Sequence, residues 1–163
     1  MIRILMVEDN RADAELAEYM LNSAGIKFLS RLVETEEEFR RGLNEFSAHL
    51  IISDYRLPAF NGAHALRIAR ELRPDIPFIL VTGALGEEGA IEVLTGGATD
   101  YVMKNRLSRL APAVERALKE AEEQKRRKEA EGERDLLLQQ MEFKIRERTA
   151  ELQAENAARR QAE

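Results

Sequence analysis

Four short runs of this chain are apolar at successive positions rather than at alternate ones: Ile2–Val7, Leu50–Ser53, Pro77–Val81 and Tyr101–Met103. Residues apolar on both sides suit strands of a parallel sheet that is covered on both faces. A fifth run, Phe28–Val33, mixes polar with apolar positions and fits a sheet edge. Between these runs the apolar period lengthens to that of a helix. Phe39, Leu43 and Phe46 share one face of a segment that opens with a capping box from Thr35 to Glu38. Ala65, Ile68, Ala69 and Leu72 form a second such stripe, and Leu107, Leu110, Ala111, Val114, Ala117, Leu118 and Ala121 a third. Strand and helix alternate five times in about 120 residues, the pattern of a doubly wound α/β sheet. Right-handed crossovers then put helices on both faces.

Beyond Ala121 the pattern changes. "EEQKRRKEAEGERD" has no apolar face, although Glu122–Arg126 and Glu123–Arg127 are i, i+4 pairs in the favourable orientation. Apolar residues return every seven positions at Leu138, Ile145 and Leu152, with Thr149 and Asn156 four residues after the last two. With the first three at d, Thr149 and Asn156 stand at a, where a buried Asn fixes the register of parallel dimers. Met141 offers a competing register. No proline follows Pro112, so the spacing predicts one long helix with its weakest point at Gly132, where glycine costs about 1 kcal/mol relative to alanine. The domain is expected to span 1–122 and a helical coiled-coil connector 123–163.

Charge follows the same boundary. Residues 1–122 carry 15 Lys/Arg and 20 Asp/Glu, whereas 123–163 carry 10 of each. The acidity weighs against nucleic-acid binding, and "KRRK" at 125–128, flanked by glutamates, reads as a solvated helix face. There is no cysteine, which excludes disulfides and thiolate metal sites. No signal peptide and no membrane span are apparent, so a cytoplasmic protein is expected.

Ligands of open parallel sheets sit outside the carboxyl ends of the strands. There the first strand ends in Glu8-Asp9, the third in Asp54, the fourth in Thr82 and the fifth in Lys104. Three carboxylates crowded together repel one another, and a divalent cation relieves that repulsion. Mg²⁺ takes oxygen ligands and binds through one or two carboxylates plus a phosphate. Asp54, the central acid, is the natural nucleophile toward a phosphoryl group and would form an aspartyl phosphate. Lys104 would pair with one phosphoryl oxygen and the Thr82 hydroxyl would donate to another.

Residues 1–122 resemble a response-regulator receiver (CheY-like) domain. The resemblance rests on "VEDN", "SDYRLPAFNG", "VTG" and "GATDYVMK" in this order, with Gly62 eight residues after Asp54 and Lys104 22 after Thr82. It implies a five-stranded sheet of order 2-1-3-4-5. It also implies Mg²⁺ bound by Glu8, Asp9, Asp54 and the backbone carbonyl of Arg56, and phosphate received on Asp54 from a histidine kinase or phosphotransfer protein. Thr82 and Tyr101 would be the switch that relays phosphorylation to the face made by helix four, strand five and helix five. Arg56 and Ala84 would tune how long the phosphate survives. One departure stands out: the family's proline after the lysine is Asn105 here. A cis bond to a non-proline residue costs about 2.5–4 kcal/mol, so a trans bond and an altered loop are expected. The segment "IRERTAELQAEN" is similar to the coiled-coil connectors of bacterial signalling proteins, which implies a homodimer through the helix, an output module, and a chain that is a piece of a longer protein.

Other readings account for less. Asp9 and Asn10 alone suit a helix cap, and His49 and His64 have no metal-ligand partners at helical spacing. A flavodoxin-like binding module would need a phosphate-cradling loop after strand one, and "VEDNRADAE" is acidic and free of glycine. A transcription factor lacks a helix-turn-helix within this chain. A phosphoesterase is disfavoured, because the family does at most slow self-dephosphorylation and is not classed with enzymes. The alternative that remains is a degenerate receiver, acting as a phosphorylation-independent dimerisation or scaffold module.

Overall fold

The structure is a computed structural model that describes residues 1–83 and 87–163, with residues 87, 88 and 90 described by backbone alone. Ala84 therefore lies outside the described residues. Five parallel strands, β1 (Ile2–Val7), β2 (Phe28–Val33), β3 (Leu50–Asp54), β4 (Phe78–Thr82) and β5 (Asp100–Met103), form one sheet of order β2-β1-β3-β4-β5. The helices are α1 (Arg11–Ser23), α2 (Glu36–Glu45), α3 (Gly62–Leu72), α4 (Glu87–Thr95) and α5 (Leu110–Ala162), the last preceded by a 3₁₀ segment, Lys104–Arg109. This is the doubly wound fold that the alternation of runs predicts. Phe28–Val33 is indeed the edge, paired only with β1 through Ile2↔Phe28 to Val7↔Val33.

Strand alternation sorts the core into two layers. Leu5, Val7, Ile51, Phe78 and Leu80 pack with Phe39 and Leu43 of α2 and with Ala65, Leu66, Ile68 and Ala69 of α3. Ile4, Met6, Leu50, Ile52, Ile79, Val81 and Val102 pack with Ala14, Ala17 and Leu21 of α1 and Leu110, Val114 and Ala117 of α5. Helices α1 and α2 begin where the sequence signals them, whereas Leu107, the first residue of the last stripe, falls in the 3₁₀ segment that precedes α5. Asn10 caps α1 by accepting from Ala12 N–H, and Thr35 and Glu38 close the expected box on α2. Losing such a cap costs about 1 kcal/mol.

Two devices fix the loops beneath α3 and α4. The half-buried Arg70 guanidinium donates to the carbonyls of Gly97 (2.8 Å), Pro74 (3.1 Å) and Ile76 (2.7 Å). Gly97 holds φ at +101°, a conformation that side chains rarely adopt, beside that same arginine. Strand ends differ by a residue from the apolar runs: β3 includes Asp54, and β4 runs from Phe78 to Thr82 instead of beginning at Pro77. Ladder pairing reaches past the apolar residues because Asp54↔Val81 and Thr82↔Met103 remain in register.

By contact density the chain divides into two units, Met1–Ala121 and Glu122–Glu163. The second is helical to Ala162 and exposed throughout, with ion pairs Arg126–Glu122 (3.8 Å) and Arg148–Glu151 (2.9 Å) along its surface. Helix continues through Gly132, around which there is open space. Among the described residues, no helix is long and apolar enough to cross a membrane.

Candidate functional site at the carboxyl ends of the strands

Alternation aims the polar groups at the strand ends as it does the core. Asp54 follows Leu50 and Ile52, Glu8 follows Ile4 and Met6, and Lys104 follows Val102, so all three continue the layer that faces α1 and α5. Thr82 continues Phe78 and Leu80, on the opposite side. Glu8 extends β1 by donating its N–H to Val33 O at 3.1 Å, and its Oε1 accepts from Asn10 N–H at 3.0 Å. The Asp54 Oδ1 accepts from Arg56 N–H at 3.3 Å, which anchors the carboxylate to the loop that follows it.

That loop is held by Asn61 and Gly62. Asn61 Oδ1 caps α3 by accepting from His64 N–H at 2.8 Å, and Gly62 N–H donates to Tyr55 O at 2.8 Å. A Cβ on Gly62 would lie 2.6 Å from Asp54 O, 2.8 Å from Tyr55 Cα and 2.9 Å from Leu80 Cδ1. Only glycine permits α3 to start this close to Asp54.

The charges converge. Lys104 Nζ donates to Asp54 Oδ2 at 2.8 Å, Asp13 Oδ2 at 2.8 Å and Glu8 Oε2 at 3.2 Å. Burial alone would lower the Lys104 pKa, but the bonds from Asp13 and Asp54 and the charges of Glu8 and Asp54 outweigh it and raise the value. Burial, with repulsion from Asp54, pushes the Glu8 carboxyl up to about 7, against the opposing pull of Asn10 N–H and Lys104. Such crowding of acid on acid is what a cation relieves.

Glu8, Asp9 and Asp54 each offer one carboxylate oxygen within 4.8 Å of the others. Ligands of octahedral Mg²⁺ stand about 3 Å apart when adjacent and about 4 Å apart when opposite. The exposed Asp9 side chain has room to close that difference, so this hard-oxygen set fits the ion. The Thr82 hydroxyl, 1% exposed at the residue level, has no hydrogen-bond partner among the described residues. An unpaired buried hydroxyl is costly and invites an acceptor that arrives later.

A model of the response regulator receiver domain matches residues 4–115. The chain belongs to that family. Luminescence regulatory protein LuxO of Vibrio campbellii is 31% identical over 117 residues, covering 71% of this chain and 25% of its own length. A CheY-like receiver domain protein of Methanospirillum hungatei is similar at 28% identity and a TM-score of 0.68, over 76% of this chain and 98% of that one. A BeF3-activated DrrB receiver domain is similar at 27% identity and 0.64, over 73% and 98%. The chain spans only 21–25% of the length of the first curated relatives it matches.

In this receiver domain Glu8, Asp9, Asp54 and Lys104 stand together, with Thr82 at the adjoining strand end. Arg56 lies two residues past Asp54, tied to it by its N–H. Tyr101 is on β5 opposite Leu80, half-buried against the layer that packs on α2 and α3. Leu138, Ile145, Thr149, Leu152 and Asn156 lie on the second unit, all exposed. Among the described residues no peptide is cis, so Lys104–Asn105 is trans as the missing proline predicts, and the ammonium still reaches Asp54. Within the loop, Arg106 interrupts the 3₁₀ segment with φ −132° and ψ 45°. Sequence reasoning missed Asp13. An acid in the first turn of a helix reads as a partner of the helix dipole, and its one available signal was its place four residues after Asp9.

Proposed function

We propose that this receiver domain accepts a phosphoryl group on Asp54 from a histidine kinase or phosphotransfer protein. The observation that carries this reading is the 2.8 Å pairing of Lys104 Nζ with Asp54 Oδ2 beside the Glu8–Asp9–Asp54 carboxylates. An Asp54 oxygen attacks phosphorus, the bond from phosphorus to the donor's imidazole nitrogen breaks, and the electron pair leaves on that nitrogen. Glu8, Asp9, Asp54 and the Arg56 carbonyl would hold Mg²⁺. The ion would supply positive charge against the negative charge gathering on the phosphoryl oxygens. Lys104 neutralises a further oxygen, and the Thr82 hydroxyl, without a partner among the described residues, donates to another. Turning Thr82 onto the phosphoryl group changes the space beside Tyr101, which makes this pair the switch for the face of α4, β5 and α5. The heptad residues Leu138, Ile145, Thr149, Leu152 and Asn156 join two copies in a coiled coil that leads to an output module.

The reach of Lys104 supports this over a receiver made degenerate by a misplaced lysine. Intact mass after incubation with acetyl phosphate and Mg²⁺ tests the proposal. The expected result is a gain of one phosphoryl group that is absent from Asp54→Asn and from a sample with EDTA. An unmodified wild-type chain would favour the scaffold instead.

A further inference from the structure

A lysine ammonium ends a flexible four-carbon stem, so holding it in one place costs rotamer freedom. Lys104 has three N–H bonds to give, and all three go to carboxylates: Asp54, Asp13 and Glu8. Two of these are engaged otherwise when the site works. Asp54 loses its charge on phosphorylation, and a phosphoryl oxygen takes its place on the ammonium. Glu8 belongs to the Glu8–Asp9–Asp54 set that fits Mg²⁺. Asp13 stands outside that set, and among the described residues its carboxylate is bonded to Lys104 alone, at 2.8 Å.

The surroundings give such a tether something to do. A cavity of about 80 Å³ borders the ammonium, with Asp13, Leu16, Asp54, Lys104 and Leu107 in its wall. It leaves an untied lysine room to turn away from Asp54. The residue that follows is Asn105, without the fixed φ of a proline ring, and Arg106 departs from 3₁₀ geometry. We propose that Asp13 is a positioning residue, which from the first turn of α1 holds the Lys104 ammonium against Asp54 before phosphoryl transfer and against the phosphoryl oxygen afterwards. This rests on Asp54 being the acceptor. Asp13 acts through Lys104 and keeps its bond in both states, and no proton moves, since the ammonium stays charged. The lysine therefore enters the reaction already oriented, its freedom lost on folding instead of during transfer.

Variants of the full chain separate this role from its rivals, with the initial rate of mass gain from acetyl phosphate and Mg²⁺ as the first readout. Asp13→Ala removes the acceptor and should slow modification of Asp54 about three- to ten-fold, the worth of one partly exposed charged hydrogen bond. Asp13→Asn keeps an acceptor oxygen without the charge and should recover part of that loss. In a Lys104→Met background Asp13→Ala should change nothing, because the interaction it removes is already gone. The second readout needs no phosphodonor: the Lys104 Nζ protons, followed by heteronuclear NMR, should exchange with water faster in Asp13→Ala than in the wild type. Faster modification of both Asp13→Ala and Asp13→Asn overturns the inference, being the mark of a negative charge removed from the path of an anion. An undiminished loss in the Lys104→Met background also overturns it, since Asp13 would then serve its own helix. A normal wild type with an inert Asp13→Ala removes the inference alone. A wild type that gains no phosphoryl group removes the Asp54 reading and this inference with it.

Discussion

Lys104 Nζ stands 2.8 Å from Asp54 Oδ2, a contact between residues fifty positions apart that the parallel order of β3, β4 and β5 makes possible. If the ammonium stabilises the transferring phosphoryl group, Lys104→Met should slow modification about ten- to a hundred-fold, the worth of a charge-assisted hydrogen bond. Initial rates of mass gain with acetyl phosphate measure this. A rate within two-fold of wild type would show that Lys104 is dispensable.

Thr82→Val offers a cleaner separation of stability from function. The hydroxyl it deletes is buried and has no partner among the described residues, so the unmodified protein should melt no lower than wild type, and up to a few degrees higher. Phosphoryl retention on Asp54 should nonetheless shorten. A melting point several degrees lower would mean that the hydroxyl has a partner after all.

Glu8 gives the metal-free protein a pH dependence of definite sign. Its carboxyl is pushed up to about 7 in the folded state, from an ordinary value of 4.5. Below the ordinary value it is protonated folded or unfolded and adds nothing. Between the two values the folded state holds a proton that the unfolded chain has lost, so rising pH erodes stability, by on the order of 3 kcal/mol once past the upper value. Thermal unfolding in EDTA should therefore fall between about pH 5 and pH 8, and Glu8→Gln should flatten the slope. An equal slope in that variant would assign the dependence to other groups.

Gly62→Ala should destabilise the domain by about 1–3 kcal/mol, because the atoms in its way include backbone. Since Asp54 O is the nearest of them, the relaxation moves the acceptor strand, and mass gain on Asp54 should drop along with the melting temperature. Wild-type stability in this variant would mean that α3 shifts freely.

For the second unit, the seven-residue recurrence of Leu138, Ile145 and Leu152 predicts that light scattering of the full chain should give a dimer. Ile145→Glu should leave it monomeric, since an unpaired charge in a coiled-coil seam costs several kcal/mol. A monomeric wild type would remove the connector reading.

The sheet was legible because β3 and β4 are buried on both faces, and short uninterrupted apolar runs between turn signals suit central parallel strands better than any half-exposed element. Glu8, Asp54, Thr82 and Lys104 were legible for a related reason: a polar residue that ends such a run has to be there for something. Asp13 was not, because nothing in a helix's first turn distinguishes an acid that reaches across to β5 from one that serves its own backbone. Gly62 could be counted eight residues from Asp54, but only the fold brings Asp54 O and Tyr55 Cα to 2.6 and 2.8 Å from where its Cβ would stand. Arg70, too, is an ordinary surface arginine in sequence. Only the fold brings three carbonyls around it.

The two layers of core, one against α2 and α3 and the other against α1 and α5, have no side chain in common among the described residues. The sheet is a partition between them. Lys104 belongs to one side by alternation and Thr82 to the other, so a single small group gripped by both would clasp the partition at its rim. Tension applied at that rim would be felt in both compartments at once, which would give a two-layered protein a way to answer one chemical event on opposite surfaces.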